Sequence, residues 1–272
     1  KGIDIQMDYT KTFAKSMWLQ MRGNFTFARS KMLVNEEPVY PDAYRSRVGY
    51  SLSQRWGLIA ERLFVDDNEV RNSPRQDFGE VRGGDIKYLD VNGDNIIDGN
   101  DQVPMGYPEM PEIIYGGGFS FGYKNFDFSA FIQGSARSSI FIDNDAIQPF
   151  KKDGGSESGL LQVIADDHWS ESNRNVYAFW PRLSDRTIVN NYWTSSWWIR
   201  NGAFLRLKNV ELGYTVSPTF LRKYKLSSAR IYLNGVNLFA LSKFKEWDPE
   251  MGSNGLNYPV QRVYNIGVNL NF

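Results

Sequence analysis

The stretch Tyr264-Asn265-Ile266-Gly267-Val268-Asn269-Leu270-Asn271-Phe272 alternates large apolar residues with asparagine and glycine, without a break. Successive side chains of a β-strand point to opposite faces. One face of this strand is therefore Tyr264, Ile266, Val268, Leu270 and Phe272, and the other is small or polar. In a soluble sandwich the apolar face would press on a second sheet. In a membrane barrel it would meet lipid, and the polar face would line the lumen.

The same period of two recurs upstream. Ile3, Ile5, Met7 and Tyr9 alternate with Asp4, Gln6 and Asp8; Met17, Leu19, Met21, Phe25 and Phe27 alternate with Trp18, Gln20, Arg22, Asn24 and Thr26. Tyr115, Phe119, Phe121 and Tyr123 alternate with glycines and Ser120, and Phe126, Phe128, Ala130 and Ile132 with Asp127, Ser129 and Gln133. Val210, Leu212, Tyr214 and Val216 alternate with Asn209, Glu211, Gly213 and Thr215, and residues 228–240 form a further strand, with Ile231 and Leu233 opposite Arg230, Tyr232 and Asn234. Seven strands result.

Their connections alternate in length. Residues 10–16, Lys124-Asn125 and 217–227 are short; 32–112, 136–202 and 241–259 are long. A meander in which every second connection is long carries its long loops at one end. Outer-membrane barrels have that asymmetry, with short periplasmic turns and long extracellular loops. The fold read from this is all-β, an antiparallel transmembrane β-barrel segment with long extracellular loops near 32–112, 136–202 and 241–259. A short loop helix is expected within 160–170, with Leu160, Leu161 and Ile164 on one face.

Composition agrees. Of 272 residues, 31 are basic and 31 acidic, which argues against a nucleic-acid-binding surface. There is no cysteine, so disulfides, thiolate metal sites and cysteine nucleophiles are excluded. No apolar run suffices for a transmembrane helix, and aromatics reach 15%, as aromatic girdles require. The chain opens mid-pattern at Lys1, which reads as a fragment or a processed product.

The clearest chemical motif is Asp90-x-Asn92-x-Asp94-x-Ile96-x-Asp98-x-x-Asp101. Its spacing matches a calcium loop of hard oxygen ligands, with the Ile96 carbonyl as the main-chain donor. Asn95 stands where glycine is usual, but asparagine tolerates positive φ. Asp101 replaces the usual bidentate glutamate. The expected role of calcium is structural. The same residues would also make an Asx-rich turn without metal.

Trp56, Trp169, Trp180, Trp193, Trp197, Trp198 and Trp247 fall in the predicted loops. They either pin those loops and the outer girdle or stack on cargo. Trp169, Trp180 and Trp247 are the substrate candidates. The polar-face residues Arg22, Asn24, Gln133, Asn265, Asn269 and Asn271 are placed to meet cargo or a plug. His168, the single histidine, reads as a loop residue, and Glu36-Glu37 and Asp66-Asp67 as solvated charges. No catalytic residues are assigned.

Gly84-Asp85-Ile86-Lys87-Tyr88-Leu89-Asp90-Val91-Asn92-Gly93-Asp94 resembles a motif of the SusC/RagA family of TonB-dependent outer-membrane transporters of Bacteroidota. So do Lys124-Asn125-Phe126-Asp127, Trp180-Pro181-Arg182-Leu183-Ser184, Phe204-Leu205-Arg206-Leu207-Lys208-Asn209-Val210 running to Gly213-Tyr214, Asn237-Leu238-Phe239, Asp248-Pro249-Glu250 and Phe272, in family order. The resemblance implies a 22-stranded barrel with an N-terminal plug and a TonB box. Residues 1–272 would supply its last seven strands, with plug and TonB box absent from this chain. It further implies an importer of glycans or peptides and a SusD-like surface lipoprotein. The other implied partners are the remaining barrel and plug, the TonB complex and outer-membrane lipid. A C-terminal aromatic such as Phe272 resembles the signal read by the outer-membrane insertion machinery. Two alternatives stand beside this: a soluble secreted, calcium-stabilised carbohydrate-binding β-sandwich, and a glycosidase using paired carboxylates.

Overall fold

The computed structural model describes residues 1–14, 16–150 and 159–272. Lys15 of the predicted connection 10–16 and residues 151–158 of the predicted loop 136–202 lie outside the described residues. The chain divides into two compact units.

The first unit comprises Lys1–Arg29, Met110–Ser138 and Asn201–Phe272. It is one seven-stranded antiparallel sheet, each strand beside its predecessor in the sequence. We number its strands β1 (Gly2–Ala14), β2 (Met17–Ala28), β3 (Ile113–Tyr123), β4 (Phe126–Ala136), β5 (Phe204–Thr215), β6 (Ser228–Ser242) and β7 (Val263–Asn271). The seven predicted strands are all present, and connections 29–112, 137–203 and 243–262 all leave from one end. Register keeps the alternation in phase across strands: Met21 faces Phe119, Phe128 faces Leu212, and Leu233 faces Ile266.

Several bounds differ from the expectation. β6, expected over 228–240, runs to Ser242. β1 runs on to Ala14, which shrinks the predicted 10–16 turn. β5 begins six residues before Val210, at Phe204, because its alternation changes phase at a bulge. Register there passes from Asn209 opposite Phe131 to Leu207 opposite Ile132, leaving Lys208 as the extra residue.

The apolar face of this sheet stays uncovered. Ile3, Met7, Phe126, Leu233, Leu241 and Ile266 all stand exposed on it, Ile266 at 78%. Among the described residues no second sheet lies over that face, as the sandwich alternative would require.

The second unit comprises Ser30–Glu109 and Ser139–Arg200, and it holds nearly the whole soluble-type core. Among the described residues, only Leu221, Ala229 and Phe244 of the buried hydrophobic ones lie outside it. The two segments read as loops therefore fold together as a body with its own interior. Short ladders build it, pairing Ala60–Leu63 with Ile86–Tyr88 and, in parallel, Arg75–Gln76 with Ile96–Ile97. The expected helix within 160–170 is shorter, Gln162–Asp166, and of its proposed apolar face only Ile164 is buried. Leu161 serves as its N-cap, and Asp167 leaves the helical conformation at φ −140°.

Candidate functional site

The polar face of the sheet carries a continuous charged and amide ladder. Asp127 of β4, Glu211 and Gly213 of β5 and Arg230 of β6 share it. Arg230 reaches across β5: its Nε donates to Asp127 Oδ1 at 3.1 Å and its Nη2 to Glu211 Oε1 at 2.6 Å, with a further Nη2 bond to Asp127 Oδ2. Gly213 makes the crossing possible, because a Cβ there would lie 2.4 Å from Arg230 Nη2 and 2.6 Å from the Asp127 carboxylate. Farther along, Asn234 donates to Asn209 at 2.7 Å, and Asn265 lies opposite Asn234. Arg22, Asn24, Gln133, Asn265, Asn269 and Asn271 all fall on this face, as expected.

At the long-connection end, Arg206 of β5 points to the same face and is buried. Its Nη2 forks Asp248 at 2.5 and 2.7 Å, and its Nε pairs with Glu250. Asp248 also accepts from the Glu250 N–H, capping the short turn Pro249–Met251. The 243–262 connection is thereby clamped onto β5 by a charge-assisted fork. Trp247, a substrate candidate, is half-buried in that clamp. It stands edge-on to Phe244 at 4.9 Å and donates to the Gly252 carbonyl at 2.8 Å.

In the second unit Asp85 is fully buried. Arg182 Nε donates to Oδ1 at 2.8 Å and Nη2 to Oδ2 at 3.2 Å; Asn191 and the Arg82 N–H complete the shell. Burial pushes the carboxyl up, and Arg182, the Arg82 N–H and Asn191 pull it back only in part. Asn191 also accepts from the Ile86 N–H at 2.9 Å, while Asn190 and Gln76 both donate to the Ile86 carbonyl. Tyr88 donates to the Asn190 carbonyl at 2.7 Å, which leaves this buried group satisfied. Asn190 and Asn191 were not legible in the sequence; an Asn-Asn pair before a tyrosine carries no signal of its own.

Trp169 and Trp180 are both buried, and Trp180 packs on Trp198 at 5.1 Å. Trp169 covers Gly84, whose φ of +84° and 2.3 Å virtual Cβ contact with the indole admit no side chain. Beside Trp169 opens a cavity of about 630 Å³. Asp66, Asp67, Arg82, His168, Glu171 and Arg174 give it walls of both charges. His168 Nδ1 lies 3.0 Å from the Ile164 carbonyl and 3.1 Å from that of Ala165, so Nδ1 carries a proton and donates. Asp66 and Asp67 are more than solvated charges. Asp66 caps helix Asp67–Arg71, and Asp67 accepts from the Gly83 N–H at 2.8 Å. Glu37 likewise staples the 46–47 turn through the Ser46 hydroxyl and the Arg47 N–H.

The 90–101 loop closes on its own carboxylates. Asp90 accepts from the Gly93 and Asn95 N–H groups, Asn92 from Asp94, and Asp94 from Ile96. Buried Asp101 accepts from Val91 and Asp98, sharing a capping box with Asp98. Asn95 takes φ 63°, the conformation expected of it in place of glycine. The Asn95 and Ile97 carbonyls bond the 75–77 segment, so strand alternation turns the Ile96 carbonyl the other way. Among the described residues no three acidic or histidine side chains converge as a ready metal cluster.

No family model matches the chain. TonB-dependent receptor P26 of Formosa agariphila is 30% identical over 253 residues, covering 88% of this chain and 24% of the relative. TonB-dependent receptor SusC of Bacteroides thetaiotaomicron is 30% identical over 188 residues, covering 68% of this chain and 17% of that protein. A solved RagAB peptide transporter shares the fold over 100% of this chain and 29% of its own, at TM-score 0.68 and 17% identity. The RagAB peptide importer in its closed-closed state gives 0.66 at 18% identity. An uncovered meander sheet of this topology, matched over its length by receptors of this kind, makes the chain part of a TonB-dependent receptor. Within that class it is similar to SusC over 68% of its length, and it shares the fold of the RagAB transporter. It spans about a quarter of the length of the curated relatives it matches. Those relatives are named as receptors, in keeping with the assignment of no catalytic residues.

Proposed function

We propose that this chain forms the last seven strands of a 22-stranded outer-membrane barrel. The complete protein would import oligosaccharides or peptides with energy delivered through TonB. The observation that carries this reading is the sheet itself: one face apolar and uncovered, the other polar, every long connection at one end. An apolar face of this size is stable against lipid and unstable against water. The free edges of β1 and β7 expose unpaired backbone groups, which other strands of the same barrel would satisfy. The apolar face is then lipid-facing, the Arg230 ladder lumen-facing, and the long connections extracellular. Partners are the plug and remaining barrel, the TonB complex and a SusD-like lipoprotein at the extracellular end.

Cargo contacts are assigned to Trp247 and to the two-signed cavity walls beside Trp169, with Trp180 supporting them from behind. For the 90–101 loop we propose a structural calcium ion held by Asp90, Asn92, Asp94, the Ile96 carbonyl, Asp98 and Asp101. The donor set, the Asn95 backbone and the orientation of the Ile96 carbonyl support it.

Two measurements test the reading. The intact protein should sediment with outer membranes and need detergent for extraction; recovery in the soluble fraction would overturn it. Uptake of labelled oligosaccharides and peptides by cells should depend on TonB and on proton-motive force, and persistence of uptake without either would remove the importer reading.

A further inference from the structure

The short connections of the sheet are one-signed. The whole chain balances 31 basic against 31 acidic residues. Yet among the described residues of 10–18, 123–126 and 216–228, the charged ones are Lys11, Lys124, Arg222, Lys223 and Lys225, all basic. All five are exposed.

Two lie against aromatic rings at the margin of the apolar face. Lys11 is in phase with Ile5, Met7 and Tyr9 and faces Leu19, so it belongs to that face. A bare ammonium among hydrocarbon side chains is costly, and a lysine there extends along its stem to the nearest polar layer. Its Nζ sits 5.2 Å from the centre of the Phe13 ring, near the end of β1. Lys124 Nζ lies 5.2 Å from the Tyr123 ring in the same way. The third group stands on Pro218–Leu221 and the turn after it, with Leu221 buried and Phe220 exposed beside Arg222, Lys223 and Lys225. Rings at the height of a headgroup layer with cations just beyond them form a surface complementary to lipid phosphate.

We propose, on the orientation argued above, that this rim binds anionic phospholipid headgroups of the periplasmic leaflet. The bound chemistry is a phosphate diester carried on two acyl chains. The chains lie along the apolar face, and the phosphate meets Lys11, Lys124 and the 222–225 turn.

The test uses the full-length protein in nanodiscs of phosphatidylcholine with a minor share of phosphatidylglycerol. Retained lipid is counted by native mass spectrometry. Wild type should keep phosphatidylglycerol in excess of its share. Each basic residue near an anionic surface contributes about fivefold. The variant with Lys11→Gln, Lys124→Gln, Arg222→Gln, Lys223→Gln and Lys225→Gln should therefore lose at least about tenfold of that preference. A second variant confined to the 222–225 turn should lose part of it, which guards against a folding defect in the first. Inorganic phosphate should leave the bound lipid in place; displacement would mean a free-phosphate site and overturn the proposal. Equal preference in wild type and both variants would overturn it too, while leaving the barrel intact. Failure of the wild type to enter nanodiscs at all would instead remove the membrane reading beneath it.

Discussion

Asp85 is fully buried and surrounded by four donor groups, two of them on Arg182. Breaking such a pair from one side strands the other charge, at a cost of about 3–5 kcal/mol. Arg182→Met should therefore destabilise the second unit far more than Asp85→Asn combined with Arg182→Met. Six of the eight tryptophans lie in this unit, so their fluorescence on urea titration reports it. Equal losses for the single and double variants would contradict a buried pair. Glu69 offers a pH test. Burial alone would raise its carboxyl, but Arg62, the Val65 N–H and Lys87 outweigh it and hold the value at about 2, against an ordinary 4.5. A depressed acid stabilises above its unfolded value and loses that contribution as pH falls through the folded one. The second unit should thus weaken between about pH 4.5 and 2, by on the order of 2 kcal/mol. In Glu69→Gln that loss should already be present at neutral pH, and the slope across the window should vanish. A wild-type slope retained in Glu69→Gln would assign it to other carboxyls.

Strands were the most legible elements, because a half-exposed strand writes its period directly into the chain. Where a bulge shifts the phase, as at Lys208, the first half of β5 dropped out of the pattern. The long connections were legible only as length. Their compactness rests on partners far apart in sequence: Arg182 and Asp85 are separated by 97 positions. The motifs noted in linear order turn out to be pairs in space: 180–184 grips 84–94, and 248–250 grips 204–210. The two faces of the sheet predict opposite tolerances. Ile266→Arg on the apolar face of β7 should cost about 2–4 kcal/mol of unfolding free energy in a bilayer. Asn265→Arg, one residue away on the polar face, should cost much less. Similar penalties would mean the faces are not divided between lipid and lumen. On β5, Gly213→Val drives a side chain between Arg230 and Asp127, and should cost about 1–3 kcal/mol by separating that pair. An unchanged unfolding midpoint would show the ladder to be dispensable.

At the scale of the molecule, the alternation of connection lengths has a strict geometric consequence. In a sheet whose neighbours are all sequential and antiparallel, connections of one parity share one end. Whatever membrane such a sheet crosses, the 29–112, 137–203 and 243–262 connections must leave it on one side, and the 216–227 turn on the other. The chain has no cysteine, so an introduced thiol within it is a clean reporter of side. Asn72, Ser172 and Thr219 are all exposed and lie in these opposed groups. On intact cells a bulky, membrane-impermeant maleimide should label the Asn72→Cys and Ser172→Cys variants. It should label Thr219→Cys only after the outer membrane is opened. Labelling of all three on intact cells would deny that the sheet crosses the membrane. The reverse pattern would invert the barrel and carry the basic rim to the outer surface. The short connections are too small to fold as a body of their own, whereas the long ones have built one with a buried ion pair and a covered tryptophan cluster. On the import reading proposed above, the labelled side should also be the side at which added oligosaccharide or peptide protects the second unit from protease.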